Sequence, residues 1–282
     1  MRWPRSAGFI LVLAAVVLAG VLAYAFKDRD DSLERLRQAG SLRVGYAVEP
    51  PYAYLDAQGG VTGEAPEIAR RMAKTLGIRD IAWRQMEFGE LIDALEADQI
   101  DVIAAGMFIT PDRQRRVLFS IPTFHVRPGL LVARGNPMHI ESYQQAGARQ
   151  DVRIAVIAGA VEEQIMRRQG VSDARLLVTP DALTGRKAVE SGLADALLLS
   201  EPTVRLMAQL EQLGRTQTLI AEQMSGQDDI YGRTAYAFRL DAQALRQAWD
   251  AALRNYLGSA AHSALLASFG MAGGMEQPAE AR

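Results

Sequence analysis

The chain has 282 residues, 49% of them hydrophobic and 23% charged, with a formal net charge of -2. It is long enough to bury a large core, fits two compact lobes better than one, and lacks the basic excess of a nucleic-acid binder. It contains no cysteine, which excludes disulfides, thiolate metal sites and a lipid carried on an N-terminal cysteine. His125, His139 and His262 stand apart, with no second metal-type residue at helical or hairpin spacing, so neither a metal nor another cofactor is expected.

Residues 1–26 read as an export segment. Arg2 and Arg5 form a basic start, Ala7 to Phe26 are uncharged and mostly apolar, and Lys27 closes the run. Ala23-Tyr24-Ala25 has the small-x-small pattern of a cleavage site, yet the apolar run is long enough to span a bilayer. A removed signal and a retained anchor both stay open, and either places the rest of the chain outside the cytoplasm.

From Lys27 to Ser41 a charged stretch suits a helix leading into the fold. The pattern then alternates in βαβ fashion: a strand over Leu42 to Ala47, a helix over Glu64 to Gly77, a strand over Ile81 to Met86, a helix over Glu90 to Asp98, and a strand over Asp101 to Ala105. Thr110 can cap a short helix with Pro111 at its first position. After a crossing strand at Leu130 to Ala133 the alternation restarts: strands at Ile154 to Ile157, Leu176 to Val178 and Ala196 to Leu199, with helices at Val161 to Gln169 and Asp181 to Ser191. A second crossing is expected near Gly226 to Thr234, before a strand at Ala235 to Arg239 and a helix at Asp241 to Leu257. Two crossings make a hinge. The expected division is lobe 1 from 42–131 plus 232–270, lobe 2 from 132–231, and a frayed tail over 271–282.

Chemistry gathers at the strand exits of the first lobe, where open α/β sheets bind ligands. Arg113 follows a strand end with Phe108 five residues before it; Glu49-Pro50-Pro51-Tyr52 and Phe88 lie at comparable exits. One carboxylate, one guanidinium and three rings can converge there on a small zwitterion. The bland alternatives are a solvated Arg113 beside Arg115 and Arg116, ordinary packing for Tyr52 and Phe88, and a turn-capping Glu49.

The order of Leu42-Arg43-Val44-Gly45, Gly63-Glu64-Ala65-Pro66-Glu67, Asp101-Val102-Ile103-Ala104-Ala105-Gly106, Thr110 through Pro122, Ser191-Gly192-Leu193-Ala194-Asp195-Ala196 and Ala235-Tyr236-Ala237-Phe238-Arg239 resembles the periplasmic solute-binding proteins of ABC transporters, polar amino-acid family. The likeness runs from about Leu42 to Gly270. Glu49-Pro50-Pro51-Tyr52-Ala53-Tyr54 and Ala104-Ala105-Gly106-Met107-Phe108-Ile109-Thr110-Pro111 are similar to the ectoine and hydroxyectoine binders of that family. The resemblance implies an α/β fold of two lobes, each a mostly parallel sheet flanked by helices (type II), joined by two hinge segments. It also implies a periplasmic monomer, a permease partner in the inner membrane, and a pocket built from Glu49, Tyr52, Phe88, Phe108 and Arg113.

Where α-amino-acid receptors of the family hold the ligand's ammonium with an aspartate, this chain has Ser200, with Glu201 next to it. That departure favours an amidinium over a primary ammonium. In the second lobe, Gly159-Ala160-Val161 opens a helix whose backbone N–H groups can add carboxylate contacts. No covalent chemistry is expected. The competing readings are a polar amino-acid receptor, a periplasmic cyclohexadienyl or prephenate-type dehydratase with Glu49 or Glu201 as general acid, and a membrane-tethered sensor.

Overall fold

The computed structural model describes residues 30–222 and 232–271. The export segment 1–26, most of the second crossing and the tail beyond Met271 lie outside the described residues. Among those described, no helix is long and apolar enough to cross a membrane.

In chain order the elements are α1 (Ser32–Ala39), β1 (Ser41–Tyr46), a hairpin of β2 (Tyr54–Leu55) and β3 (Val61–Thr62), α2 (Glu64–Thr75), β4 (Asp80–Gln85), a 3-10 turn (Phe88–Glu90), α3 (Leu91–Glu96), β5 (Val102–Phe108), α4 (Pro111–Gln114), β6 (Leu118–Phe119), β7 (Phe124–His125) and β8 (Pro128–Ala133). There follow α5 (Tyr143–Ala148), β9 (Ile154–Ile157), α6 (Val161–Arg168), β10 (Leu176–Thr179), α7 (Ala182–Glu190), β11 (Ala196–Ser200), α8 (Glu201–Gln209), β12 (Thr216–Ile220), β13 (Arg233–Phe238), α9 (Gln243–Tyr256) and α10 (Ala260–Ser268).

Two mixed sheets result. The first runs β4-β1-β5-β13-β6, with β7 also on β13; its first three strands are parallel and β13 lies antiparallel to β5. The second runs β10-β9-β11-β8-β12, parallel through β11, with β8 antiparallel to both of its neighbours. The apolar stripe of α2, Ile68, Ala69 and Met72, packs with Trp249 and Leu253 of α9 against Leu42, Val44 and Phe238. Each such large side chain taken out of water contributes about 1.5 to 3 kcal/mol. Another buried cluster runs from Leu91, Ile103 and Met107 in the first layer to Ile157, Ala160 and Leu199 in the second, so apolar packing continues across the seam.

Most expected elements are present, with shifted ends. The helix expected to stop at Gly77 ends at Thr75, and Gly77 takes up the left-handed turn at φ 76°. Thr110 does cap α4, its hydroxyl accepting the Arg113 N–H at 3.2 Å, with Pro111 in the first turn. The β2-β3 hairpin, α5, α8, β12 and α10 are additions to what periodicity indicates. The hairpin strands have two residues each, too short to show a period.

Candidate functional site

The carboxyl ends of β1, β5, β9 and β11 point toward the seam between the sheets. Glu49, Tyr52, Phe88, Phe108, Arg113 and Ser200 all line one pocket there, together with Gly106, Leu199 and the turn Ala160-Val161-Glu162. Its cavity is about 20 Å³, room for about one water. A ring-sized solute therefore enters only as the two walls separate, and the walls belong to different sheets.

Arg113 is buried, 5% exposed. The cap on α4 aims it inward, where one guanidinium nitrogen donates to the Phe108 carbonyl at 2.9 Å and another to the Gly159 carbonyl of the second lobe at 3.0 Å. Its Cζ lies 5.3 Å from the Phe88 ring centroid, so Phe88 as it stands carries the arginine on its face. Loss of water pushes the Arg113 pKa down to about 10, against the pull of Glu162 and then Glu49; the group stays charged at neutral pH.

A chain of hydroxyls closes the opposite side. Tyr52 donates to the Ser200 Oγ at 3.2 Å, Ser200 and Thr203 lie 3.1 Å apart, and Thr203 donates to the Glu49 carboxylate at 2.9 Å. Glu49 keeps some exposure as a residue, yet desolvation is the largest influence on its carboxyl. Burial and then the charge of Glu162 raise its pKa to about 8, while Thr203 and Arg113 pull the other way. Tyr52 is seated by Gly106, which has φ 61°; a Cβ there would meet the Tyr52 Cγ at 2.5 Å.

Two contributors escaped the reading of the sequence. Glu162, 3% exposed, sits in the first turn of α6. The buried residues of that helix, Val161, Glu162, Ile165 and Met166, follow a helical stripe that includes the glutamate, so a signal was available. Thr203 is fully buried on α8, a helix that periodicity did not indicate. Glu201 stays outside the pocket lining; its carboxylate lies 3.5 Å from Arg205. The backbone N–H groups proposed for a carboxylate are partly committed: Glu163 accepts that of Gly159 at 2.7 Å, and the Ile157 carbonyl accepts that of Ala160 at 3.1 Å. Among the described residues no group of three or more potential metal ligands occurs.

A buried guanidinium, two acidic side chains and three rings at a seam between two sheets can hold a small ligand carrying both signs of charge. A probable amino-acid ABC transporter periplasmic-binding protein of Sinorhizobium fredii is 30% identical over 241 residues, 85% of this chain and 80% of that protein. Cyclohexadienyl dehydratase of Pseudomonas aeruginosa is 28% identical over 206 residues, 71% of this chain and 74% of the enzyme. Among solved structures, the crystal structure of EhuB in complex with hydroxyectoine superposes with a TM-score of 0.79 at 29% identity, covering 86% of this chain and 92% of that one. The family model matches residues 42–270, and the chain belongs to the bacterial extracellular solute-binding proteins, family 3.

Proposed function

We propose that the chain is the extracytoplasmic receptor of an ABC importer that binds a small zwitterionic compatible solute of the ectoine type between its lobes and delivers it to an inner-membrane permease. The observation that carries this reading is the convergence of buried Arg113 and three buried aromatic rings with Glu49 around one pocket whose walls come from both sheets. Arg113 offers a planar fork for a carboxylate, a charge-assisted contact contributing about 1.5 to 3 kcal/mol. Glu49 accepts from an amidinium, and Tyr52 and Phe108 present ring faces to its cation, about 0.5 to 2 kcal/mol each. The structural likeness to a protein bound to hydroxyectoine supports this choice of ligand.

The receptor works as a monomer in the periplasm, with lobe 1 from 42–131 plus 232–270 and lobe 2 from 132–231. Residues 1–26 direct export and either are removed or hold the chain at the inner membrane. The test is calorimetry with ectoine, hydroxyectoine, glycine betaine, proline, arginine and glutamine. Tight binding of the ectoines alone supports the reading, and binding of an α-amino acid alone replaces the ligand by a polar amino acid.

One observation favours a second reading. A carboxyl group raised to about 8, as Glu49 is, stays protonated at neutral pH and suits a general acid, and a relative is a cyclohexadienyl dehydratase. Turnover of prephenate by the purified chain would establish that reading in place of the first.

A further inference from the structure

We propose that the hydroxyls of Tyr52, Ser200 and Thr203 set the hydrogen-bond polarity of the pocket: their protons all point toward Glu49, so the wall they form can only accept. It admits solutes that bear an N–H or O–H at the cationic end and their one carboxylate at the other. This rests on the receptor reading above and names the class of solute within it, with Thr203 as a positioning residue.

A hydroxyl has one proton to give and two lone pairs to accept with. In the complex described above Glu49 meets the ligand's cation as a carboxylate, which has no proton to give. Thr203 therefore donates to it, at 2.9 Å. With its proton spent, Thr203 can only accept from Ser200, 3.1 Å away. Ser200 then has nothing left for Tyr52, whose hydroxyl donates to it at 3.2 Å. One direction remains for the whole chain. Tyr52, Ser200 and Thr203 are 1%, 2% and 0% exposed, so bulk water does not reorder it.

Tyr52 and Ser200 line the pocket, whereas Thr203 is not among the lining residues. The lone pairs that the two lining hydroxyls keep, and the Glu49 carboxylate, face a ligand as acceptors only. The donors belong to Arg113: of the five guanidinium N–H groups, one goes to the Phe108 carbonyl and one to the Gly159 carbonyl, which leaves three for a ligand carboxylate. A carboxylate turned toward the hydroxyls would meet lone pairs with no proton between, and a second carboxylate on one ligand is refused on the same ground. A quaternary ammonium has no N–H to donate and would leave the buried oxygens unpaired, which is how a site built to accept a donor rejects the analogue that lacks it. The chain of hydroxyls crosses the seam twice, from Tyr52 in the first lobe to Ser200 and Thr203 in the second and back to Glu49. The selection therefore takes effect as the lobes meet.

Calorimetry on the full chain with ectoine, which carries N–H groups, and glycine betaine, which carries none, is the test. Ser200→Cys keeps the size of the side chain but is a poor acceptor. It should weaken ectoine about tenfold or more and move glycine betaine by less than about threefold. The start of α8 is not at stake, because the Ser200 side chain makes no cap hydrogen bond to it. Thr203→Val leaves the Ser200 proton without its acceptor and should give the same pattern from a position outside the pocket lining. Thr203→Ser, which keeps a donor and an acceptor, should recover most of what Thr203→Val loses. Ectoine affinity unmoved by Ser200→Cys, no recovery with Thr203→Ser, or equal losses for the two ligands each overturns the proposal; where glycine betaine binds too weakly to measure, the first two decide. If ectoine is silent and arginine, glutamine or proline binds, the ligand assignment falls and that N–H-bearing solute takes ectoine's place in the comparison. Silence from every solute removes the receptor reading and the proposal with it.

Discussion

Glu49 and Thr203 stand 154 positions apart and meet at 2.9 Å, the hydroxyl of one lobe donating to the carboxylate of the other. The contact belongs to the closed arrangement: it joins the loop after β1 to α8 and ends the chain of hydroxyls that starts at Tyr52. It also opposes the desolvation that raises the Glu49 pKa.

Thr203→Val keeps the shape and removes the donor. Hydrogen bonds to charged groups contribute about 1.5 to 3 kcal/mol, so ectoine affinity should fall about tenfold or more, and the Glu49 carboxyl should titrate higher still. Calorimetry from pH 6 to pH 9 checks both. Equal affinity at all pH values would show that the hydroxyl acts only in packing.

The first-lobe half of the site was legible because it is local. Phe108, Thr110, Pro111 and Arg113 fall within one strand exit and one capped turn, and Glu49 and Tyr52 within another. Of the second-lobe half, Ser200 and the turn at Ala160-Val161 were legible, whereas Thr203 was not, since it belongs to a helix that starts directly at the end of β11, with Pro202 in its first turn. Glu162 is flanked by Glu163, which is a solvent-side partner of Arg167 at 2.8 Å, and adjacent glutamates look alike until helix phase separates them. The fold followed from alternation because the central strands β1, β5, β9 and β11 are mostly buried, and the two-residue strands were lost because no period fits in them.

Arg113→Lys should reduce affinity for a carboxylate ligand at least tenfold. Lysine keeps the charge but cannot donate at once to the Phe108 and Gly159 carbonyls and present a planar fork to a carboxylate. Calorimetry against Arg113→Ala separates the parts: equal losses mean geometry dominates, and a much milder loss for lysine means charge alone suffices.

Phe108→Ala should weaken a cationic cyclic ligand more than an uncharged ring of the same size, by up to about 2 kcal/mol for a desolvated cation. Equal losses for both ligands, measured by competition, would reduce Phe108 to a hydrophobic wall.

Gly159→Ala should hold the cleft open. Gly159 has φ 72°, and a Cβ on it would meet the Gly89 Cα of the opposite lobe at 2.5 Å. Both partners at the seam are backbone, so neither can swing aside. A marked loss of ectoine affinity is expected, with a larger radius of gyration by small-angle scattering in the presence of ligand. A compact, ligand-responsive variant would place the limit of closure elsewhere.

Glu64 gives a stability prediction separate from the ligand. It opens α2, is 1% exposed, and its carboxylate oxygens have no hydrogen-bond partner among the described residues. The Thr123 hydroxyl lies close enough to lower its pKa a little but is itself engaged with Thr234 at 3.3 Å. Desolvation dominates and raises the pKa from 4.5 to about 7. Between those values the folded chain holds a proton that the unfolded chain has released, so this contribution is fully present below pH 4.5, is lost as pH rises, and is gone above about 7. Each tenfold change in proton affinity corresponds to about 1.4 kcal/mol, so the loss is on the order of 3 kcal/mol. Glu64→Gln should reduce the slope between pH 5 and pH 8, leaving the part owed to Glu49, and raise stability at pH 8 above that of the unmodified protein. Urea unfolding of both proteins across that range is the measurement, and parallel pH profiles would mean that Glu64 is hydrated in the folded state.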